Sequence, residues 1–147
     1  MGGGRPAEPP RHRRDDTRRC AKAPGAANAV TRDDDDANAA VSLRDALAFS
    51  PGVYLQPRCG QEVRVSIRES AIGRGNHFRG ITLFQNGIPI NLAHDSGDFQ
   101  ELNPQLFERI EGVRGANALA MGGASLGGAI NGISPTGRSA AGLRAAL

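Results

Sequence analysis

Residues 110–131 read IEGVRGANALAMGGASLGGAIN: a short strand-like piece, one helical turn, and two glycine pairs, Gly122–Gly123 and Gly127–Gly128. No helix or strand interior asks for glycine at that density, because each one costs roughly 0.5–1 kcal/mol relative to alanine. The pairs therefore predict left-handed turns or close backbone contact. Ala116–Met121 predicts the helical turn, and Ala129, Ile130 and Ile133 predict a last strand that Ser134-Pro135-Thr136-Gly137 ends.

Working back from this stretch, Asn103-Pro104 places a capping side chain before a proline and opens a helix whose apolar stripe is Leu106, Phe107 and Ile110. Ile81–Phe84 and Ile88–Ile90 flank Asn86-Gly87, a hairpin signature, and Pro89 confines the second arm to an edge. Val63, Val65 and Ile67 alternate with Arg64, Ser66 and Arg68 at the period of a half-buried strand, with Val53–Leu55 as another strand-like run. Ser42 is the predicted cap of a short helix that buries Leu43, Ala46 and Leu47 before Pro51-Gly52. The expected class is α+β, a small mixed sheet with short helices. Residues 1–41 lack apolar periodicity and contain the acidic block Asp33–Asp36, so they are expected to be a disordered leader. The ordered domain is then 42–137, with a short tail at 138–147.

A chain of 147 residues sustains one core, and with 39% apolar residues and no tryptophan that core is aliphatic. The net charge of +3 divides evenly: eight basic and seven acidic residues precede position 42, and ten and eight follow. Neither half is a polybasic surface, so nucleic acid is not an expected partner. Cys20 and Cys59 lack metal-site spacing and are read as unpaired thiols. No secretory signal is visible, and no run approaches the roughly 18 apolar residues of a membrane-spanning helix.

The sites for chemistry are weak. Gly122 to Gly127 has P-loop spacing, but Gly128-Ala129 stands where lysine and a hydroxyl residue must follow. Gly73-Arg74-Gly75 opens like a dinucleotide fingerprint, yet Phe78 occupies the third glycine position. The histidines, at 12, 77 and 94, have no helical ligand spacing, and Ser125 is not in a nucleophile elbow. No catalytic residue, metal site or cofactor is expected. Arg68, Arg79, Arg109 and Arg114 are read either as a solvated face or as a surface that meets carboxylates on a partner.

Five segments in order carry a specific resemblance: LRDALAFSPGV at 43–53, VSIR at 65–68, RGITLFQNGIPIN at 79–91, FERIEGVRGANAL at 107–119, and LGGAIN at 126–131 followed by SPTG. Together they resemble the plug domain of TonB-dependent outer-membrane receptors, of the iron-chelate or siderophore type. The resemblance implies a four-stranded mixed sheet lodged in a 22-stranded barrel of the outer membrane. It also implies a role in gating and ligand contact without catalysis, with the TonB energy-coupling protein, the barrel and a ferric siderophore as partners. By position, Arg58, Arg74, His77, His94 and Asp95 are the candidates for ligand contact. Arg68, Arg79, Arg109 and Arg114 are the candidates for facing the barrel, while Gly87, Gly115, Gly122, Gly123, Gly127 and Gly128 are structural.

The chain departs from the family pattern at Glu69, Asn86, Gly112 and Met121. Gly112 is expected to remove a packing side chain from its strand, and Glu69 to strain a turn, at about 1 kcal/mol each. No TonB box can be placed before residue 42, and the ten residues after Gly137 do not encode barrel strands, so the expectation is a plug truncated before its barrel. The alternative is a freestanding soluble module that binds a ligand or partner and transports nothing.

Overall fold

The computed structural model describes residues 27–38, 40–48, 50–57, 63–67, 70, 80–93, 97, 102–122 and 125–140. Its elements are β1 (Ala27–Thr31), α1 (Arg32–Ala37), α2 (Leu43–Leu47), β2 (Val53–Pro57), β3 (Val63–Ile67), β4 (Ile81–Gln85), β5 (Ile88–Pro89), β6 (Arg109–Arg114) and β7 (Gly128–Ile133), with 3-10 turns at Pro104–Leu106 and Gly115–Met121. Five strands form one mixed sheet in the order β1-β6-β7-β4-β5, and β2 and β3 form a separate antiparallel ribbon. The α+β class is as expected. The sheet has one strand more than the resemblance implied.

The additional strand corrects the expected boundary at residue 42. β1 lies antiparallel to β6, with Ala27 opposite Val113 and Thr31 opposite Arg109. The acidic block is α1, not a solvated coil. Thr31 caps it, and the Asp34 carboxylate accepts from the Thr31 backbone N–H at 2.9 Å and from its hydroxyl at 2.6 Å. Carboxylates in a first helical turn are favoured by the unpaired N–H groups and the dipole, which offsets their mutual repulsion. Arg32 then ties the segment to the domain: its backbone N–H donates to the Glu108 carbonyl, Nε to the Phe107 carbonyl and Nη2 to the Gln105 carbonyl.

β4 and β7 run parallel, with Ile81 opposite Gly128, while β6 and β7 run antiparallel, with Glu111 opposite Asn131. One face of the sheet presents Ile81, Leu83, Ile110 and Ile130 to Leu43, Ala46 and Leu47 of α2, to Val65 and Ile67 of β3, and to Leu102 and Phe107. Complete burial of side chains of this size contributes roughly 1.5–3 kcal/mol each, so this layer holds most of the stability. The other face carries a smaller cluster of Phe84, Ala118 and Ala129, flanked by Val113 and Met121. The 3-10 turn at Gly115–Met121 supplies its cover.

At the other predicted elements, the Ser42 hydroxyl donates to the Asp45 carboxylate at 2.8 Å, which opens α2 where the cap was expected. The hairpin forms at Asn86-Gly87, with φ of +54° and +81°, and pairs Phe84 with Pro89. Asn103 caps as expected, accepting from the Gln105 N–H at 3.0 Å, but the element is one 3-10 turn that leaves Leu106 exposed.

The glycines of the decisive stretch divide by role. Gly115 and Gly122 stand at positive φ at the two ends of the 3-10 turn. Gly127 and Gly128 are needed for close approach: a Cβ on Gly127 would fall on the Ser70 hydroxyl, and one on Gly128 would lie 2.6 Å from the Val113 carbonyl. The Gly127 and Gly128 N–H groups both donate to the Gly80 carbonyl, which brings the loop before β4 against the start of β7. Gly123 lies outside the described residues.

Gly112 is the second correction. The space it leaves is occupied by Asn28, whose Oδ1 would stand 2.9 Å from a Cβ at that position. From there Asn28 Nδ2 donates to the Ser50 hydroxyl at 2.7 Å, linking β1 to the end of the α2 segment. The glycine admits a neighbour's side chain and leaves no hole.

Candidate functional site

The loops expected to reach a ligand follow β2, β3 and β5 in the chain. Arg58, Arg74, His77, His94 and Asp95, together with Arg68 and Arg79, lie outside the described residues. Asn91, at the start of the third loop, turns its amide back on β4: Oδ1 accepts from the Leu83 N–H at 2.7 Å and Nδ2 donates to the Ile81 carbonyl at 3.1 Å. β5 has only two residues, so the Asn91 side chain stands in for the missing ladder and sets where residues 92 onward depart. Sequence reading placed Asn91 in a polar loop and missed this role. Its spacing, eight residues after a strand position with a hairpin between, was the available signal.

Arg109 and Arg114 are described. Arg109 Nε donates to Glu111 Oε1 at 2.8 Å, along the same strand and on the same face. Glu111 Oε2 accepts from Asn131 Nδ2 at 3.5 Å, and Asn131 Oδ1 accepts from the Gly87 N–H at 3.1 Å. A polar line thus crosses the sheet from β6 through β7 to the hairpin tip. Arg114, on the opposite face, lays its guanidinium beside Gly52, within 3.3 Å of where a Cβ would stand. Each cation therefore has contacts within the domain.

The serine weighed as a nucleophile has a structural position. Ser125 is fully buried, and its hydroxyl donates to Thr82 Oγ1 at 2.6 Å, tying the glycine-rich loop to β4. Asp35 is buried, and its carboxyl is raised to about 6, first by desolvation and then by the neighbouring Asp34 and Asp36 charges. A cleft of about 400 Å³ opens between β1, α1 and α2, lined by Asn28, Asp34, Asn38 and Ser50 among others. The Asp34 carboxylate in it is held by Thr31, and the Asn38 amide by the Asp34 carbonyl. No nucleophile and base are paired there. Among the described residues no group of three His, Cys, Asp or Glu side chains converges on a metal position, and no helix is long and apolar enough to cross a membrane.

A parallel β4–β7 pair, a hairpin edge and a glycine-lined turn into β7 thus share one sheet, flanked by β1. Residues 20–129 match the TonB-dependent Receptor Plug Domain. The chain belongs to that family. The match begins ahead of residue 27, in agreement with β1 and α1 being parts of the domain. Solved structures with the same fold include Pseudomonas aeruginosa FpvA bound to heterologous pyoverdines, at 20% identity and a TM-score of 0.56 over 78% of this chain and 14% of that one. The siderophore receptor PirA from Acinetobacter baumannii aligns at 21% identity and a TM-score of 0.56, covering 76% of this chain and 17% of the receptor. The ferric enterobactin receptor PfeA from Pseudomonas aeruginosa aligns at 22% identity and a TM-score of 0.57, covering 74% and 17%. The plug chain therefore spans less than a fifth of the length of these receptors.

Proposed function

We propose that this plug serves an outer-membrane receptor for ferric siderophores or similar iron chelates, gating a barrel and contacting the ligand without catalysing a reaction. The match of residues 20–129 to the plug family carries this reading, and the structural neighbours named for siderophores supply the ligand class. In this reading Arg58, Arg74, His77, His94 and Asp95 contact the chelate, because cationic and polar loop side chains suit an anionic ligand. Arg68, Arg79, Arg109 and Arg114 face the barrel wall and its carboxylates, with Arg109 presented by its Glu111 partner. The partners are a β-barrel, the TonB energy-coupling protein and the chelate, and the location is the outer membrane.

The surface supports a covered domain. Leu126 is 80% exposed, and Ile88, Tyr54 and Leu106 are each about two-thirds exposed, apolar side chains that an enclosing barrel would cover. The test is a plug exchange. Residues 20–137 replace the plug of a siderophore receptor, and growth is followed with ferric siderophore as the sole iron source. Growth that depends on TonB and is lost on substituting the five ligand-contact candidates supports the proposal. A receptor that reaches the outer membrane with its pore closed, yet transports none of a panel of ferric siderophores, counts against it.

A further inference from the structure

We propose that Asn86-Gly87 is a latent site of succinimide formation, held shut by Asn131 and Ser134 of the β7 segment. Both turn residues are exposed, and Gly87 has no Cβ to hinder attack by its nitrogen. In the reaction the Gly87 nitrogen bonds to Asn86 Cγ, and the Cγ–Nδ2 bond breaks. Nδ2 departs as ammonia with the proton that Gly87 gives up. Water then adds to one or other imide carbonyl and opens the ring to aspartate or isoaspartate.

Every group that must move for this step is tied to β7 or the residue that follows it. The Gly87 N–H donates to Asn131 Oδ1 at 3.1 Å, which holds the nucleophile and its proton. Asn86 Oδ1 accepts from the Ser134 N–H at 2.8 Å and Asn86 Nδ2 donates to the Ser134 hydroxyl at 3.2 Å, which holds the electrophile. The Asn86 N–H donates to the Gly132 carbonyl at 2.9 Å. Release of Ser134 frees the Asn86 amide, and release of the end of β7 with it frees the Gly87 nitrogen as well, so the modification records opening at this point of the fold. The two products differ in consequence. Aspartate keeps the turn, whereas isoaspartate routes the main chain through the former side chain and breaks the pairing of Phe84 with Pro89.

The second Asn-Gly pair, Asn131-Gly132, is an internal reference, since it is buried within β7 and paired on both sides. The experiment incubates the full chain at mildly alkaline pH, in native buffer and in urea, and measures aspartate and isoaspartate at positions 86 and 131 by peptide mapping. Position 86 is expected to react at least about tenfold more slowly in native buffer than in urea, a factor corresponding to the net worth of a single hydrogen bond or slightly more. Ser134→Pro removes both Ser134 donors and is expected to speed position 86 while position 131 stays slow. Asn131→Ala is expected to speed position 86, and Asn131→Asp, which retains an acceptor, to keep it slow. Equal native and denatured rates at position 86 overturn the proposal. So does an equal rise at both positions in Ser134→Pro, or an Asn131→Asp chain as fast at position 86 as Asn131→Ala.

Discussion

Arg32 Nε donates to the Phe107 carbonyl at 2.8 Å, and this contact joins the helix after the first strand to the residue whose ring fills the core. The Phe107 ring lies against Gly132, where a Cβ would stand 2.7–2.8 Å from its atoms. Arg32 thus holds the backbone of a residue 75 positions later in the chain whose ring packs into the core.

Arg32→Ala removes the donors to the Gln105 and Phe107 carbonyls, two hydrogen bonds from a charged group. The expected loss is about 1.5–3 kcal/mol, read as a lower urea midpoint with an unchanged slope. A chain starting at residue 42 loses β1 as well and is expected to show no cooperative transition.

Asp35 sets a pH dependence. Its carboxyl is raised from 3.8 to about 6, so between those values the folded chain holds a proton that the unfolded chain has released. Stability from this group is therefore present at low pH and is lost as pH rises through about 6. Asp35→Asn is expected to raise the melting temperature at pH 7, by up to about 3 kcal/mol in stability, and to leave it little changed near pH 4. Asp45 acts in the opposite sense. The Ser42 hydroxyl and N–H hold its carboxyl below the ordinary value, so its contribution is present near neutrality and lost on acidification below the usual carboxylate range. Thermal melts of wild type, Asp35→Asn and Asp45→Asn across pH 3–8 check both signs.

Gly112→Val restores an apolar side chain to β6 and strengthens its β propensity, yet it is expected to destabilise by about 1–3 kcal/mol, because Asn28 already occupies the space. Combining it with Asn28→Ala is expected to recover part of the loss. A denaturation cycle on the four chains measures the coupling.

Asn91→Ala strips the Leu83 N–H and the Ile81 carbonyl of their side-chain partner. The cost is expected to be about 1–3 kcal/mol, with faster amide exchange at Leu83 than at Phe84 as the local signature.

β3, by its alternation, and β4 and β7, by their apolar runs beside turn signals, were readable from the sequence, as were the Asn86-Gly87 turn and the Ser42 cap. Each depends on side chains close together in the chain. β1 was not readable: Ala27-Asn28-Ala29-Val30-Thr31 has little strand propensity, and its partner Arg109–Arg114 is some eighty positions away. The run Asp33–Asp36 likewise looked like a repelling patch, because the Thr31 cap and the anchoring by Arg32 become evident only once Gln105–Glu108 is beside it. At the candidate site, the glycine-rich stretch announced close packing but not its partners, Ser70, Gly80 and the Val113 carbonyl. Asn91 was hidden because its role is to complete a strand that the sequence correctly marks as short.

Calorimetric titration of the full chain with a ferric catecholate chelate, alongside the iron-free chelate, tests the proposed ligand contact most directly. Saturable binding of the ferric form is expected, weakened at least about tenfold when Arg58, Arg74 and His77 are replaced by alanine, in keeping with the loss of charge-assisted hydrogen bonds. A natively folded chain that binds neither form, or binds both equally and regardless of those three residues, would contradict it.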